Sequence, residues 1–237
     1  MKRIVSCLLI LLVLTGLCAC NTKKKDNKLN SIEKPKAAAT ADEVSAPEVD
    51  KNAVESSQNV NGMRFKTTLR EFTSRYNTEL NNRGEKGQLV FEKWQQTEKP
   101  SKDDNGVEVQ YWYYDDENVT MTASVETKSG KLMNIGVATT TSKFMGNTGE
   151  ENNSDLILAQ AAQVAQIVCG FPSGSEPVLQ DIFFRTTTED KDLWYEGFVF
   201  ARSTKEDSTD SKNSIMQFRV FPITDELKNE WKLEEYK

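Results

Sequence analysis

The chain has 237 residues, with 30 lysines and arginines against 36 aspartates and glutamates, and no histidine. A formal charge of −6 argues against nucleic acid, which needs a basic surface to neutralise its phosphates. Without histidine the usual general base near neutral pH is missing, which excludes Ser-His-Asp, Cys-His and His-containing zinc arrangements. Carboxylate-only, Ser-Lys and oxygen-ligand calcium chemistry remain, and no cofactor or metal is implied.

The first twenty residues carry an address. Lys2 and Arg3 precede an apolar stretch from Ile4 to Leu14, and Leu17-Cys18-Ala19-Cys20 follows it. This is the layout of a secretory signal peptide. A transmembrane anchor would need roughly 20 apolar residues in a row, and Ser6, Thr15 and Gly16 interrupt this one. Leu17 at −3, Ala19 at −1 and Cys20 at +1 resemble the lipobox of bacterial lipoproteins. That resemblance covers residues 1–20 and implies removal of 1–19 and fatty acylation of the Cys20 thiol. Cys18 is the rival acceptor, but it would place Leu17 at −1, where a small residue is needed. Two or three acyl chains on one residue imply stable membrane attachment, since each buried methylene contributes about 0.8 kcal/mol. Asn21 at the next position, in place of Asp, points to the outer membrane if the host is Gram-negative.

Residues 20–60 read as the lipidated cysteine and a disordered tether. Lys23-Lys24-Lys25 and scattered Ala, Glu, Ser and Asn leave too little apolar surface to offset ordering entropy. Such a coil has a root-mean-square span of roughly 35 Å and a fully extended reach on the order of 130 Å. With Cys7 and Cys18 in the signal and Cys20 acylated, Cys169 is the remaining cysteine of the four. It has no disulfide partner, and its apolar neighbours Ile167 and Val168 indicate a buried, inert thiol.

The domain is expected over 61–237. Phe65, Leu69, Phe72, Tyr76 and Leu80 share one helical face, Thr68 and Glu71 form a capping box, and Asn81-Asn82-Arg83-Gly84 ends the helix. A short strand is expected at 89–94. Val107, Val109, Tyr111 and Tyr113 then alternate with Glu108, Gln110, Trp112 and Tyr114. Val119, Met121, Ala123 and Val125 alternate with Thr120, Thr122, Ser124 and Glu126, and Met133, Ile135 and Val137 follow the turn at 128–130. These strands describe an antiparallel meander packed on a helix and open to water behind.

A second helix opens at Ser154-Asp155, runs to Cys169 and closes on Gly170 and Pro172. Gln160, Gln163 and Gln166 are its polar stripe, so most of its surface must be covered. Strands are expected at 181–185, 193–202 and 214–222, with a charged hairpin tip at 203–213. Thr224 caps a short final helix carrying Leu227 and Trp231. The plan is α+β: helix and antiparallel meander, in two loosely related halves at 61–145 and 150–237 or as one irregular domain. The order of elements resembles the tandem architecture of β-lactamase-inhibitor-like proteins. No residue motif accompanies that resemblance, so it transfers no functional position.

Three constellations could carry function. If Tyr111 and Tyr113 face the core, Trp112 and Tyr114 face outward and form a candidate partner-binding pair; the alternative is that the far face is covered. Asp115-Asp116-Glu117, with Asp103-Asp104, lacks the spacing and glycine of an EF-hand loop and reads as turn charge. Asn77 on the first helix could hydrogen-bond the sheet. The resulting expectation is a lipid-anchored, non-enzymatic binding or accessory protein of the bacterial envelope, with an envelope protein or extracellular macromolecule as partner. Two alternatives stand beside it. One is a glycan hydrolase using Asp115, Asp116 or Glu196 in a cleft; the other is a carrier with an apolar pocket between the second helix and the sheets.

Overall fold

The computed structural model describes residues 50–97, 99–146, 153–206 and 214–237. The signal segment, the Cys20 acceptor and the tether as far as residue 49 lie outside the described residues, as does the 207–213 stretch of the expected hairpin tip. The described residues hold five α-helices and eleven strands, so the fold is α+β.

The chain enters through a short hairpin. Asp50 accepts the Asn52 N–H and caps a single 3-10 turn, Lys51–Ala53. β1 (Val54–Ser56) then pairs antiparallel with β2 (Met63–Phe65). Residues 50–60, expected within the tether, are therefore part of the folded structure. The segment offers little apolar surface, but it is held by polar contacts instead. Asn59 is 1 % exposed, and its side chain donates to the Met63 carbonyl at 3.0 Å and accepts the Asn61 N–H at 3.0 Å. Glu55 pairs with Arg64 and Lys131, both at 2.8 Å, while Arg64 and Ser57 both reach the buried Glu126.

α1 (Leu69–Arg83) carries the expected capping box: Thr68 Oγ1 accepts the Glu71 N–H, and Glu71 accepts the Thr68 N–H at 2.8 Å. It ends at Gly84, φ 69°. Residues 89–94 do not form the expected strand; they make a turn with a 3-10 segment at Phe91–Lys93. Side chains pin this turn. Val90 donates to Tyr114 Oη, Arg70 lies over the Phe91 ring at 3.9 Å, and Trp94 is buried with Nε1 donating to Thr73.

The main sheet follows from β3 (Gln95–Gln96), β4 (Ser101–Lys102), β5 (Glu108–Asp115), β6 (Thr120–Glu126) and β7 (Lys131–Thr140). After α2 (Thr141–Met145), α3 (Ser154–Cys169) and α4 (Glu176–Thr188) come β8 (Leu193–Tyr195), β9 (Phe198–Lys205), β10 (Ile215–Pro222), α5 (Asp225–Glu230) and β11 (Glu234–Glu235). Strands lie in the order β11-β8-β9-β10-β7-β6-β5-β3, with β4 also on β5. All neighbours are antiparallel except β11 and β8. The β7–β10 pairing joins strands from both expected halves into one sheet.

Two expectations in the second half change. Residues 181–185 are helical, inside α4. Pro177 in its first turn and the spacing of the buried Leu179, Ile182, Phe183 and Thr186 are helix signals that the short apolar run at 182–184 masks. Residues 193–202 split into β8 and the start of β9 around a turn at Glu196 and Gly197, with φ 51° and 90°, the backbone that two-residue hairpin turns require.

α3 packs over β7 and β10, and α4 over β9. Alternation sends Met121, Ile135, Val137, Phe218, Val220 and Phe200 to this helix-covered face. Phe183 of α4 meets Phe200 and Phe218 edge-on at 5.3 and 6.0 Å, and Phe65 of β2 stacks on Phe198 at 5.9 Å. The opposite face is not the open polar surface that the meander suggested. Thr122, Ser124 and Glu126 are buried, and Ser57 and Arg64 of the hairpin reach Glu126.

Candidate functional site

Helix α3 determines the site. Its glutamines recur at steps of three, so they share a face, and that face turns towards α1 instead of water. Gln163 is 6 % exposed and Gln166 is 5 % exposed, while Leu156 is 55 % exposed. Two of the three glutamines are thus covered, while Leu156, one turn before Gln160 on the same face, is exposed.

A cleft of about 430 Å³ lies between α1, α3, the start of α4 and the turns at 85–87 and 118–119. That volume falls in the roughly 300–1,000 Å³ range of small-ligand sites. Leu80 and Tyr76 from α1, Val119 from the β5–β6 turn and Leu156 from α3 form its apolar surface. Gln160 and Gln163 of α3 stand among its polar lining, with Arg83, Glu85, Lys86, Glu176 and Gln180. Gln160 Nε2 donates to the Asn118 carbonyl at 3.2 Å, yet its Oε1 has no hydrogen-bond partner, and neither has Gln163 Nε2. One acceptor and one donor are left over on adjacent turns of one helix.

Two of the charged residues lining the cleft, Arg83 and Glu176, are committed to each other and to neighbours. Arg83 donates to Glu79 and Gln166 at 3.0 and 3.1 Å and pairs with Glu176, tying α1 to α3 and α4. Glu176 also accepts the Gly174 N–H at 3.0 Å. Burial, and then Glu85 and Asp116, push the Tyr76 hydroxyl up to about 12, so it is a neutral phenol at physiological pH. No nucleophile stands beside a base here. A second cleft of about 360 Å³ lies on the other flank of α1, lined by Ser74, Thr78, Ile167 and Phe171 among others.

The aromatic pair expected to face outward does not. Tyr114 is 0 % exposed, packs against Trp94 with ring centres 5.4 Å apart, and donates to Asp116 at 2.9 Å. It cannot serve as a contact for a partner. Trp112 shares its face, as the pairings Tyr114 with Met121 and Trp112 with Ala123 show; it is half-buried, with Nε1 buried and unpartnered. Alternation separates the two pairs as expected, but the faces are reversed: Trp112 and Tyr114 lie on the helix-covered face with Met121 and Ala123, and Tyr111 and the buried Tyr113 lie on the other.

The candidate acids do not converge. Asp115 accepts from Thr120 at 2.7 Å at one end of the sheet. Asp116 accepts from Tyr114 and from the N–H groups of Asn118 and Val119; burial opposes its charge, but these bonds hold its carboxyl below the usual range. Glu196 sits in the β8–β9 turn, at the opposite end of the sheet by register. Among the described residues no three carboxylate or thiolate groups converge as metal ligands. Cys169 is a buried free thiol, pushed well up by burial.

Asn77 bonds the chain at Leu89, not the sheet. The comparisons with family models, curated proteins and solved structures find no match for this chain. Function is therefore argued from the site.

Proposed function

We propose that this chain is a lipid-anchored, non-enzymatic binding protein of the bacterial envelope that takes its ligand in the cleft between α1 and α3. The observation that carries this reading is the pairing of Gln160 Oε1 and Gln163 Nε2, both unpartnered, beside an apolar surface that ends in the exposed Leu156. Buried amide groups without partners are costly, about 1–3 kcal/mol each. A ligand carrying its own amide next to an apolar group would satisfy donor and acceptor together. A segment of an envelope protein or an extracellular macromolecule has that chemistry.

The membrane attachment rests on residues 1–20. Replacing the acceptor by Cys20→Ser should abolish fatty-acid labelling and release the protein from the membrane fraction, while Cys18→Ser should leave labelling intact. Labelling that survives Cys20→Ser would sink the anchor.

A further inference from the structure

The rear face of the sheet carries an unexplained cation. One cross-strand row there runs Ala201, Arg219, Gly136, Thr122 and Tyr113 through β9, β10, β7, β6 and β5. Ser124 and Tyr111 form the next pair on the same face. On its row Arg219 stands between a methyl group, Ala201, and a glycine, Gly136. Two strand spacings of about 4.8 Å separate it from Thr122, a gap that the two side chains can close on an oxygen held between them.

Three polar atoms of this patch are unsatisfied together. Arg219 Nε, Thr122 Oγ1 and Ser124 Oγ are all buried without a hydrogen-bond partner, and Thr122 and Ser124 are 4 % and 2 % exposed. Native interiors leave few such groups unpaired, yet here three fall on two adjacent rows and all three can donate. Asp192 and Tyr111 are the groups whose charge acts on Arg219, but loss of water outweighs them and holds the guanidinium below the usual arginine range. A guanidinium that shares a sheet face with two unpartnered hydroxyls suits a planar or tetrahedral oxyanion, which accepts from several donors at once.

We infer that the rear face of the sheet holds an oxyanion site in which Arg219, Thr122 and Ser124 donate to a carboxylate or phosphate. The site is separate from the helical cleft and does not depend on its occupant. Binding requires a small shift of the side chains, since the three atoms are covered as they stand.

Thermal melts of the full chain in sodium phosphate, sodium acetate and sodium chloride at equal ionic strength test this. A bound anion stabilises the folded state by mass action. The melting temperature should rise by about 3–6 °C over chloride when the anion is about tenfold above its dissociation constant. The phosphate and acetate arms show which oxyanion the site prefers. Arg219→Gln should remove the rise, and Thr122→Val with Ser124→Ala should reduce it while keeping side-chain shape. Because Arg219→Gln alters a covered position, the Arg219 Nε–H resonance of the unmodified protein is followed as well, and it should shift with phosphate and not with chloride. Equal melts in all three salts, an unmoved Arg219 resonance, or a rise that survives Arg219→Gln would each overturn the site.

Discussion

Asn77 and Leu89 hold each other through both of their amide groups. The Asn77 side chain donates to the Leu89 carbonyl at 2.8 Å and accepts the Leu89 N–H at 2.7 Å. This clamp returns the chain to α1 after the 85–87 turn, which walls one side of the cleft. Asn77→Ala should cost about 1–3 kcal/mol, because it leaves a backbone donor and acceptor unpaired. Urea denaturation would read that loss. A change within about 0.5 kcal/mol, as at an ordinary surface position, would mean the clamp does not fix the turn.

The amino-terminal hairpin should prove part of the domain. A chain starting at Asp50 should melt like the mature protein, whereas one starting at Asn61 should lose about 2 kcal/mol or more, a drop of several degrees. Acid should act on the same contacts. Lys131 and then Arg64 hold the Glu55 carboxyl below its ordinary value of 4.5, so the folded state binds fewer protons than the unfolded one in that range. Its contribution is complete above about pH 4.5 and fades as pH falls through the folded value. Glu55→Gln should flatten that part of the stability profile. An unchanged profile would show that the pair is too exposed to matter.

Gly136 answers to backbone packing. A Cβ there would stand 2.0 Å from the Phe218 carbonyl oxygen and 2.9 Å from the Arg219 Cα, and backbone cannot yield as a side chain does. This is the β7–β10 seam that joins the early strands to the late ones. Gly136→Ala should therefore fall among exceptional losses, above about 4 kcal/mol, measured by denaturant unfolding. A loss under about 1 kcal/mol would show that the seam can open locally.

Much of the fold was legible where a local rule suffices. The Thr68–Glu71 box, the alternation through Met121, Ala123 and Val125, and Ser154 to Gly170 as a helix all stand in the structure. α4 was not legible because Ile182, Phe183 and Phe184 resemble a strand when read without Pro177 and Leu179. Residues 50–60 were misread because apolar content was the criterion, while Asn59, Glu55 and Ser57 bind through polar contacts. The site was present as a signal, three glutamines at steps of three in an apolar helix. Periodicity says that they share a face, but only packing shows that the face meets α1.

The cleft is tested most directly by a ¹H–¹⁵N titration of the mature chain with N-acetyl-leucinamide, which carries an amide donor and acceptor beside an apolar side chain. The side-chain amide signals of Gln160 and Gln163 should shift together and saturate, and Gln163→Leu should weaken binding about tenfold, the equivalent of one lost hydrogen bond. Unmoved glutamine signals at saturating probe, or binding that Gln163→Leu leaves intact, would contradict a ligand site in the cleft.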